Sequence, residues 1–391
     1  MKVFISVKAI YPFHSFGGVE KYIYNMAKYL VLKGIDVEII APLYKKNIKH
    51  EYYNGINFTF LSTEISYLSN SSLGRIGEHI FGIALSHYLD GNKFDLLHGV
   101  ELTPYIYLHK KDKKPVLFHL FYDTYKKKPH ADILYYIKYP FIKLLKTNAV
   151  KYCLKNATTI MTETTKQSDE LIKLFNADKD KISNLPVAVD IKKINELANN
   201  NTVTRGKIGL KPDDFVLTSV NRLVREKGIG YLIDALRIIK NKLIKAKLLL
   251  IGTGYQERGI LSRINNYKLA DSVIHLKNVK EEELYGYYSI SDLYVSPTLQ
   301  EDFIMGIQEA MACGLPVVST GQDWLVQDGI NGYLVERKNP EMLAQKIVEI
   351  YHNKTCKQMG EKSKEIIKKY DWSVVINKLI QIYENTLRNK H

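Results

Sequence analysis

The sequence predicts an α/β protein made of two doubly wound, Rossmann-like domains. Strand-like runs of Val, Ile and Leu alternate with helix-like runs along the whole chain, the pattern of parallel sheets covered by helices. The alternation comes in two series, separated by the polar stretch INELANNNTVTRGKIGLKPDD at residues 194–214. A chain of 391 residues is long enough for two such cores.

The first series opens with the strand KVFISV almost at Met1, followed by a helix from about Val19 to Lys33 that Gly34 ends. DVEIIAP, DLLHGV, PVLFHL and TIMTET read as its further strands, and ISNLPVAVD closes it. The second series runs FVLTSV, AKLLLIGTG, VIHLKNV, DLYVSPT, PVVST and GYLVE, with helices between. A last amphipathic helix spans about Val374 to Leu387. The expected domains are 1–200 and 201–372, with a C-terminal helix at 373–391 crossing back onto the first. Ligands of such sheets lie beyond the carboxyl ends of the strands, so the cleft between the domains is the expected site.

Composition excludes several classes. Apolar and charged fractions of 46% and 25% are those of a globular protein, and no apolar run reaches the length of a membrane span. The N-terminus lacks a signal-peptide pattern. Cys153, Cys313 and Cys356 are widely separated and show no metal-ligand spacing, which suits a reducing cytosol. The net charge of +15 is uneven: residues 110–155 hold twelve lysines against Asp112, Asp123 and Asp132. Such an excess seeks an anionic surface, whether lipid, nucleic acid or a charged polymer.

Three features of the second series fall where strands should end. Arg222 and Lys227 follow FVLTSV, and Gly252-Thr253-Gly254 follows AKLLLI as a turn that lets backbone approach a ligand. After DLYVSP comes a loop with Glu301, then a short apolar helix carrying Glu309 and stopped at Gly314. Two cations, a glycine turn and a helix N-terminus on one rim suit a diphosphate. Taken singly, each has a plainer reading as a solvated loop charge or a common turn. Glu309 is the exception, because a carboxylate among apolar neighbours needs a partner.

The ordered set resembles the retaining glycosyltransferases of family 4, the "glycosyl transferase group 1" class with the GT-B fold. FGGVEKYIYNMAKYLVLKGIDVEIIAP is similar to that family's glycine loop and first helix, and NRLVREKGIGYLIDAL to its basic loop. EDFIMGIQEAMACGLPVVST is similar to its Glu-x7-Glu motif, with DGINGYLV and YDWSVVINKLIQIY completing the match. The resemblance implies that Glu309 binds the ribose hydroxyls of a nucleotide sugar and Glu301 the donor sugar. It implies that the backbone N–H groups of Phe303, Ile304 and Met305 face sugar and phosphate, while Arg222 and Lys227 neutralise the leaving diphosphate. Gly17 and Gly18 match the loop that closes over the phosphates, Gly252 lies on the same rim, and Val279 matches a position whose backbone reads the base. His119 matches a histidine near the anomeric carbon, and His98 a strand-end histidine with a supporting role.

The implied reaction needs no cofactor and no metal, the nucleotide-diphosphate sugar being a co-substrate, because side-chain cations and a helix terminus carry the developing charge. Implied acceptors are glycans, lipid-linked molecules or polysaccharides. The basic segment at 126–155, with Ile133, Ile137, Phe141 and Leu144 at helical spacing, suits an anionic membrane surface. Nucleic acid and a core-packed helix with a lysine-rich outer face are the competing readings. The expected location is cytoplasmic, peripheral on the inner face of the membrane.

The chain departs from the family where Glu-Gly-Phe-Gly is usual: Asp302 and Ile304 replace both glycines, and Trp324 stands where a glutamate is common. These departures motivate the alternative of a catalytically silent sugar-nucleotide-binding or scaffold protein. A nicotinamide-dependent enzyme is the third reading, but IGTGYQERG matches G-x-G-x-x-G only partly.

Overall fold

A computed structural model describes residues 1–14, 17–45, 48–62, 74–121, 133–242, 245–300, 305–321 and 324–389, with side chains omitted at 74–78 and 133–143. The chain divides into two compact units, Met1–Ala188 with Trp372–His391, and Val189–Asp371.

The strands of the first unit are β1 (Lys2–Ser6), β2 (Asp36–Pro42), β3 (His50–Tyr53), β4 (Ile56–Leu61), β5 (Leu96–Val100), β6 (Val116–His119), β7 (Thr159–Thr162) and β8 (Ile182–Asn184). Its helices are α1 (Gly18–Leu32), α2 (Gly74–Asp90), α3 (Ile133–Asn156) and α4 (Thr165–Phe175). The sheet order is β3-β4-β2-β1-β5-β6-β7-β8, parallel throughout except at the β3–β4 pair. Strands β5, β6 and β7 are buried along their whole length, as expected of a parallel sheet covered on both faces. Phe4, Leu97, Phe118 and Ile160 join Phe81 and Val150 in its core.

The β3–β4 hairpin is a feature the sequence reading passed over. Its turn is Asn54-Gly55, with φ of 50° and 83°, the positive values that a two-residue hairpin turn requires. It makes the sheet mixed and forms one of its edges.

In the second unit the strands are β9 (Phe215–Val220), β10 (Ala246–Ile251), β11 (Val273–Leu276), β12 (Leu293–Ser296), β13 (Val317–Ser319) and β14 (Gly332–Leu334). The helices are α5 (Ile191–Asn199), α6 (Ile229–Lys242), α7 (Glu257–Asn266), α8 (Glu281–Ser289), α9 (Met305–Ala312), α10 (Pro340–Asn353) and α11 (Cys356–Ile367). All six strands are parallel, in the order β11-β10-β9-β12-β13-β14. The order reverses between β9 and β12, the switch point at which open α/β sheets bind ligands. In the first unit the same reversal falls between β1 and β5.

The division differs from the expected boundary at 200. Helix α5 belongs to the second unit because its residues are anchored there. Asp190 caps it by accepting from the Lys193 N–H at 3.0 Å, Lys193 pairs with Glu281 of α8 at 2.8 Å, and Ile194 is buried beside Tyr285 and Ile307. The asparagine run is therefore a helix end and not the link. The last helix, α12 (Trp372–Arg388), lies in the first unit. Its Trp372 is fully buried against Tyr22 and Tyr29 of α1, and Thr386 donates to Thr159 Oγ1 of β7 at 2.8 Å.

Candidate functional site

The loops that follow β9, β10 and β12 are laced together. Asn221 N–H donates to the Ile251 carbonyl at 3.0 Å, Leu223 N–H to Thr253 at 2.8 Å, and Gln256 N–H to Leu223 at 2.9 Å. Gly252 has a φ of 133°, and a Cβ there would lie 2.0 Å from the Asn221 carbonyl; one on Gly254 would lie 2.3 Å from that of Leu223. The clearance at both glycines is thus taken up by the neighbouring loop, where the sequence reading had assigned it to a ligand. On the other side of β9, Leu299 N–H donates to the Glu226 carbonyl at 2.8 Å, and Gly228, at φ 64°, lets the Pro297 carbonyl pass.

This lacing places the two cations at the switch point of the second sheet. Arg222 is exposed, whereas Lys227, in the 3-10 turn Arg225–Lys227, is 8% exposed. Val279, in the loop after β11, is half-buried and packed against the cluster of Val216, Leu249 and Ile251. Glu301, Phe303 and Ile304, together with Asp302, lie outside the described residues. Met305 opens α9 and is half-buried. Trp324 is half-buried, and its carbonyl accepts from the Tyr370 hydroxyl at 3.1 Å.

Glu309 sits in the middle of α9, a helix buried from Ile307 to Ala312. The helix can lie this close to β12 because Gly306 has no side chain; a Cβ there would be 2.4 Å from the Tyr294 hydroxyl. Glu309 is 5% exposed, and the Tyr288 hydroxyl donates to its Oε2 at 3.3 Å. Burial first and the Glu309 carboxylate second push the Tyr285, Tyr288 and Tyr294 hydroxyls above the ordinary phenol range. The same two causes push the Cys313 thiol up to about 12. The Glu309 carboxylate thus lies out of solvent, beside a phenol hydroxyl that donates to it. A carboxylate accepts about four hydrogen bonds, which suits a pair of vicinal hydroxyls.

In the first unit, Gly17 caps α1 with φ −69° and ψ 160°, and Gly18 is the exposed first residue of the helix. The Glu20 carboxylate folds back over Gly17, 2.1 Å from where a Cβ would stand. At the switch point Lys8 pairs with Glu101, whose φ of 54° is unusual for a residue with a side chain. The sequence reading missed this pair; the signal available was a charged residue just past the end of each of the two central strands. His119 ends β6 and is 1% exposed, with its Nδ1 3.1 Å from Nε2 of His98. Tyr383 of α12, also missed, lies with its hydroxyl 2.7 Å from His98 Nδ1.

Burial pushes His98 down to about 3, and burial together with His98 holds His119 well below the ordinary histidine range. Burial also lowers His14. His98 and His119 stay neutral in the fold, while the unfolded chain takes up their protons below about pH 6.5. Their stabilising contribution is therefore complete above pH 6.5 and is lost as the pH falls from there towards the folded values, at about 1.4 kcal/mol per pH unit for each group. Urea melts of the full chain should show the midpoint dropping between pH 7 and pH 5; a flat midpoint would contradict the neutral assignment.

In the described part of α3, Val150, Cys153 and Leu154 face the core while Lys151 and Lys155 are exposed. Leu144 and Leu145 are 57% and 52% exposed. The lysines at 126–128 lie outside the described residues. Among the described residues no helix is long and apolar enough to cross a membrane, and no group of three or more His, Cys, Asp or Glu could hold a metal.

Two family descriptions match adjacent parts of the chain: "Glycosyltransferase Family 4" over residues 16–193 and "Glycosyl transferases group 1" over residues 200–366. The chain belongs to glycosyltransferase family 4. Its relatives include a D-inositol 3-phosphate glycosyltransferase of Paenarthrobacter aurescens, 28% identical over 55% of this chain and 54% of that one. An uncharacterised glycosyltransferase of Methanocaldococcus jannaschii is 32% identical over 42% of this chain and 46% of its own length. This family 4 chain thus spans about half the length of these curated relatives. A second uncharacterised glycosyltransferase of Methanocaldococcus jannaschii is 22% identical over 96% of both chains.

The fold of this family 4 chain is GT-B. Sucrose-phosphate synthase from Thermosynechococcus elongatus superposes with a TM-score of 0.81 at 20% identity, over 98% of each chain. The Anabaena HepE structure in complex with UDP-glucose superposes with a TM-score of 0.73 at 18% identity, over 98% of this chain and all of that one.

Proposed function

We propose that this family 4 glycosyltransferase moves a sugar from a nucleotide-diphosphate donor to a hydroxyl of a glycan, lipid-linked or polysaccharide acceptor. The transfer retains configuration and uses neither metal nor cofactor. The observation that carries this reading is the buried Glu309 carboxylate on α9, beside the switch point of the second sheet. Its role is to hold the ribose hydroxyls. Lys227 and Arg222 stabilise the departing diphosphate, and the backbone N–H groups from Phe303 to Met305 add the positive end of α9. Glu301 and His119 face the donor sugar, Gly17 and Gly18 border the phosphates, and the backbone at Val279 contacts the base. The solved neighbours holding UDP and UDP-glucose support a nucleotide-sugar donor.

A thermal-shift screen with UDP, GDP, ADP and their common sugars tests the reading. A ligand at a hundred times its dissociation constant stabilises by about 2.7 kcal/mol, well within detection. No shift with any nucleotide would remove the donor site. A shift without transfer or donor hydrolysis would favour the silent binding protein.

The acceptor side is proposed to work at an anionic membrane surface on the cytoplasmic face. The exposed Leu144 and Leu145 beside the lysines of α3 support this, since an apolar edge and cations together suit an interface. The protein is expected to co-sediment with vesicles containing anionic lipid and to stay in solution with zwitterionic ones. Equal behaviour with both would end the membrane proposal.

A further inference from the structure

His98 is fully buried on β5, and both of its ring nitrogens are engaged. In the register of the sheet His98 stands opposite Leu117 and Val100 opposite His119. Side chains alternate between faces along a strand, so both imidazoles project from the same face, diagonal to each other. Helices α1 and α12 cover that face: Tyr22 of α1 is edge-on to His119 at 6.2 Å, and α12 supplies Tyr383. A line of three groups results, running from the Tyr383 hydroxyl through His98 to His119, the last residue of β6.

The protons on this line can be counted. Burial keeps both imidazoles neutral and Tyr383 protonated, so there is one O–H and one N–H on each ring. Two hydrogen bonds shared by three such groups admit two arrangements. In the first, Tyr383 donates to His98 Nδ1, His98 Nε2–H donates to His119 Nδ1, and His119 carries its own proton on Nε2. In the second every bond is reversed, His119 Nε2 is a bare acceptor, and the Tyr383 O–H must find another partner. Among the described residues the hydroxyl has only His98 within hydrogen-bond reach. The reversed arrangement therefore strands a buried donor, which costs more than an exposed one because no water replaces the lost partner.

We infer that Tyr383, acting through His98, fixes His119 as the Nε2–H tautomer, so that His119 meets its ligand as a hydrogen-bond donor and not as a base. Tyr383 and His98 are then positioning residues, and α12 sets the chemistry of a strand end although it comes last in the chain. The role given to the Nε2 atom rests on the proposed placement of His119 at the donor sugar. An N–H in that place bonds a sugar oxygen and takes no proton from the acceptor.

The test is ¹⁵N-histidine NMR on the full chain, with long-range proton couplings read for both rings and assignments made with His98 and His119 variants. At pH 7 both rings should show a protonated Nε2 and a bare Nδ1. A proton on Nδ1 of either ring, or a charged imidazole, overturns the inference. Tyr383→Phe keeps the ring and removes the hydroxyl; it should convert the His119 pattern to a mixture of tautomers. Turnover in that variant should fall about ten-fold, the effect of one neutral hydrogen bond, with the dissociation constant for UDP within about two-fold of wild type. Unaltered His119 signals in Tyr383→Phe would also overturn it. The wild-type spectrum decides the tautomer even if the variant does not fold. It needs no substrate, so a protein without transferase activity would count against the proposed function and leave the tautomer measurable.

Discussion

Lys227→Ala is expected to lower kcat/KM by about 10²- to 10³-fold, the loss typical of removing one preorganised group from a site of developing charge. The size follows from where the side chain sits. Lys227 is 8% exposed in a short 3-10 turn, and the turn is tied to the loop after β12 through the Glu226 carbonyl and Leu299. A cation held there needs no rearrangement when the diphosphate leaves, and its field is poorly screened. Arg222 is exposed, so its charge is shared with solvent, and Arg222→Ala should cost about ten-fold. Both variants are to be assayed with the donor selected by thermal shift, measuring kcat and KM separately. A loss confined to KM would make the pair ground-state binders, and unchanged rates in both would remove the leaving-group role.

The second sheet was legible in the sequence because parallel strands buried on both faces read as continuous apolar runs, and FVLTSV, KLLLI and LYVS are such runs. The family motifs lie on the loops after those strands, so their order along the chain also indicated their rim. What escaped had physical reasons. Strand β4 alternates polar and apolar residues at its start and β3 is mostly exposed, with Tyr52 71% exposed, so both look unlike the buried strands around them. Only the Asn54-Gly55 pair marked them. Helix α5 is rich in Asn and Lys, so it reads as linker until its contacts with α8 and α9 are seen. The glycines of Gly252-Thr253-Gly254 announced a close approach, but sequence has no means of saying that the approaching atoms were the Asn221 and Leu223 carbonyls. Tyr383 is one inward residue among Val375, Ile376, Leu379 and Ile382, and nothing local separates a tyrosine that orients a histidine from one that fills space.

Glu309→Gln and Glu309→Ala should have opposite effects on the empty and the loaded protein. Without ligand, Glu309 is a charge held at 5% exposure among the Tyr285, Tyr288 and Tyr294 hydroxyls, and burying a charge is costly even when it is hydrogen-bonded. Glu309→Gln keeps an acceptor for the Tyr288 hydroxyl and removes the charge, so the melting temperature of the empty protein should stay level or rise. With nucleotide, two hydroxyl donors lose a charged acceptor, each such bond being worth about 1.5–3 kcal/mol. Glu309→Ala should therefore weaken nucleoside-diphosphate binding by roughly 10²-fold or more, and Glu309→Gln by less. Calorimetric titration with UDP, GDP or ADP, beside melts of the same samples, separates the cases. A large fall in empty-state melting temperature with nucleotide affinity intact would make Glu309 a structural acceptor for Tyr288. A stabilised protein that no longer holds its nucleotide would mean that the fold carries this buried carboxylate for the ribose.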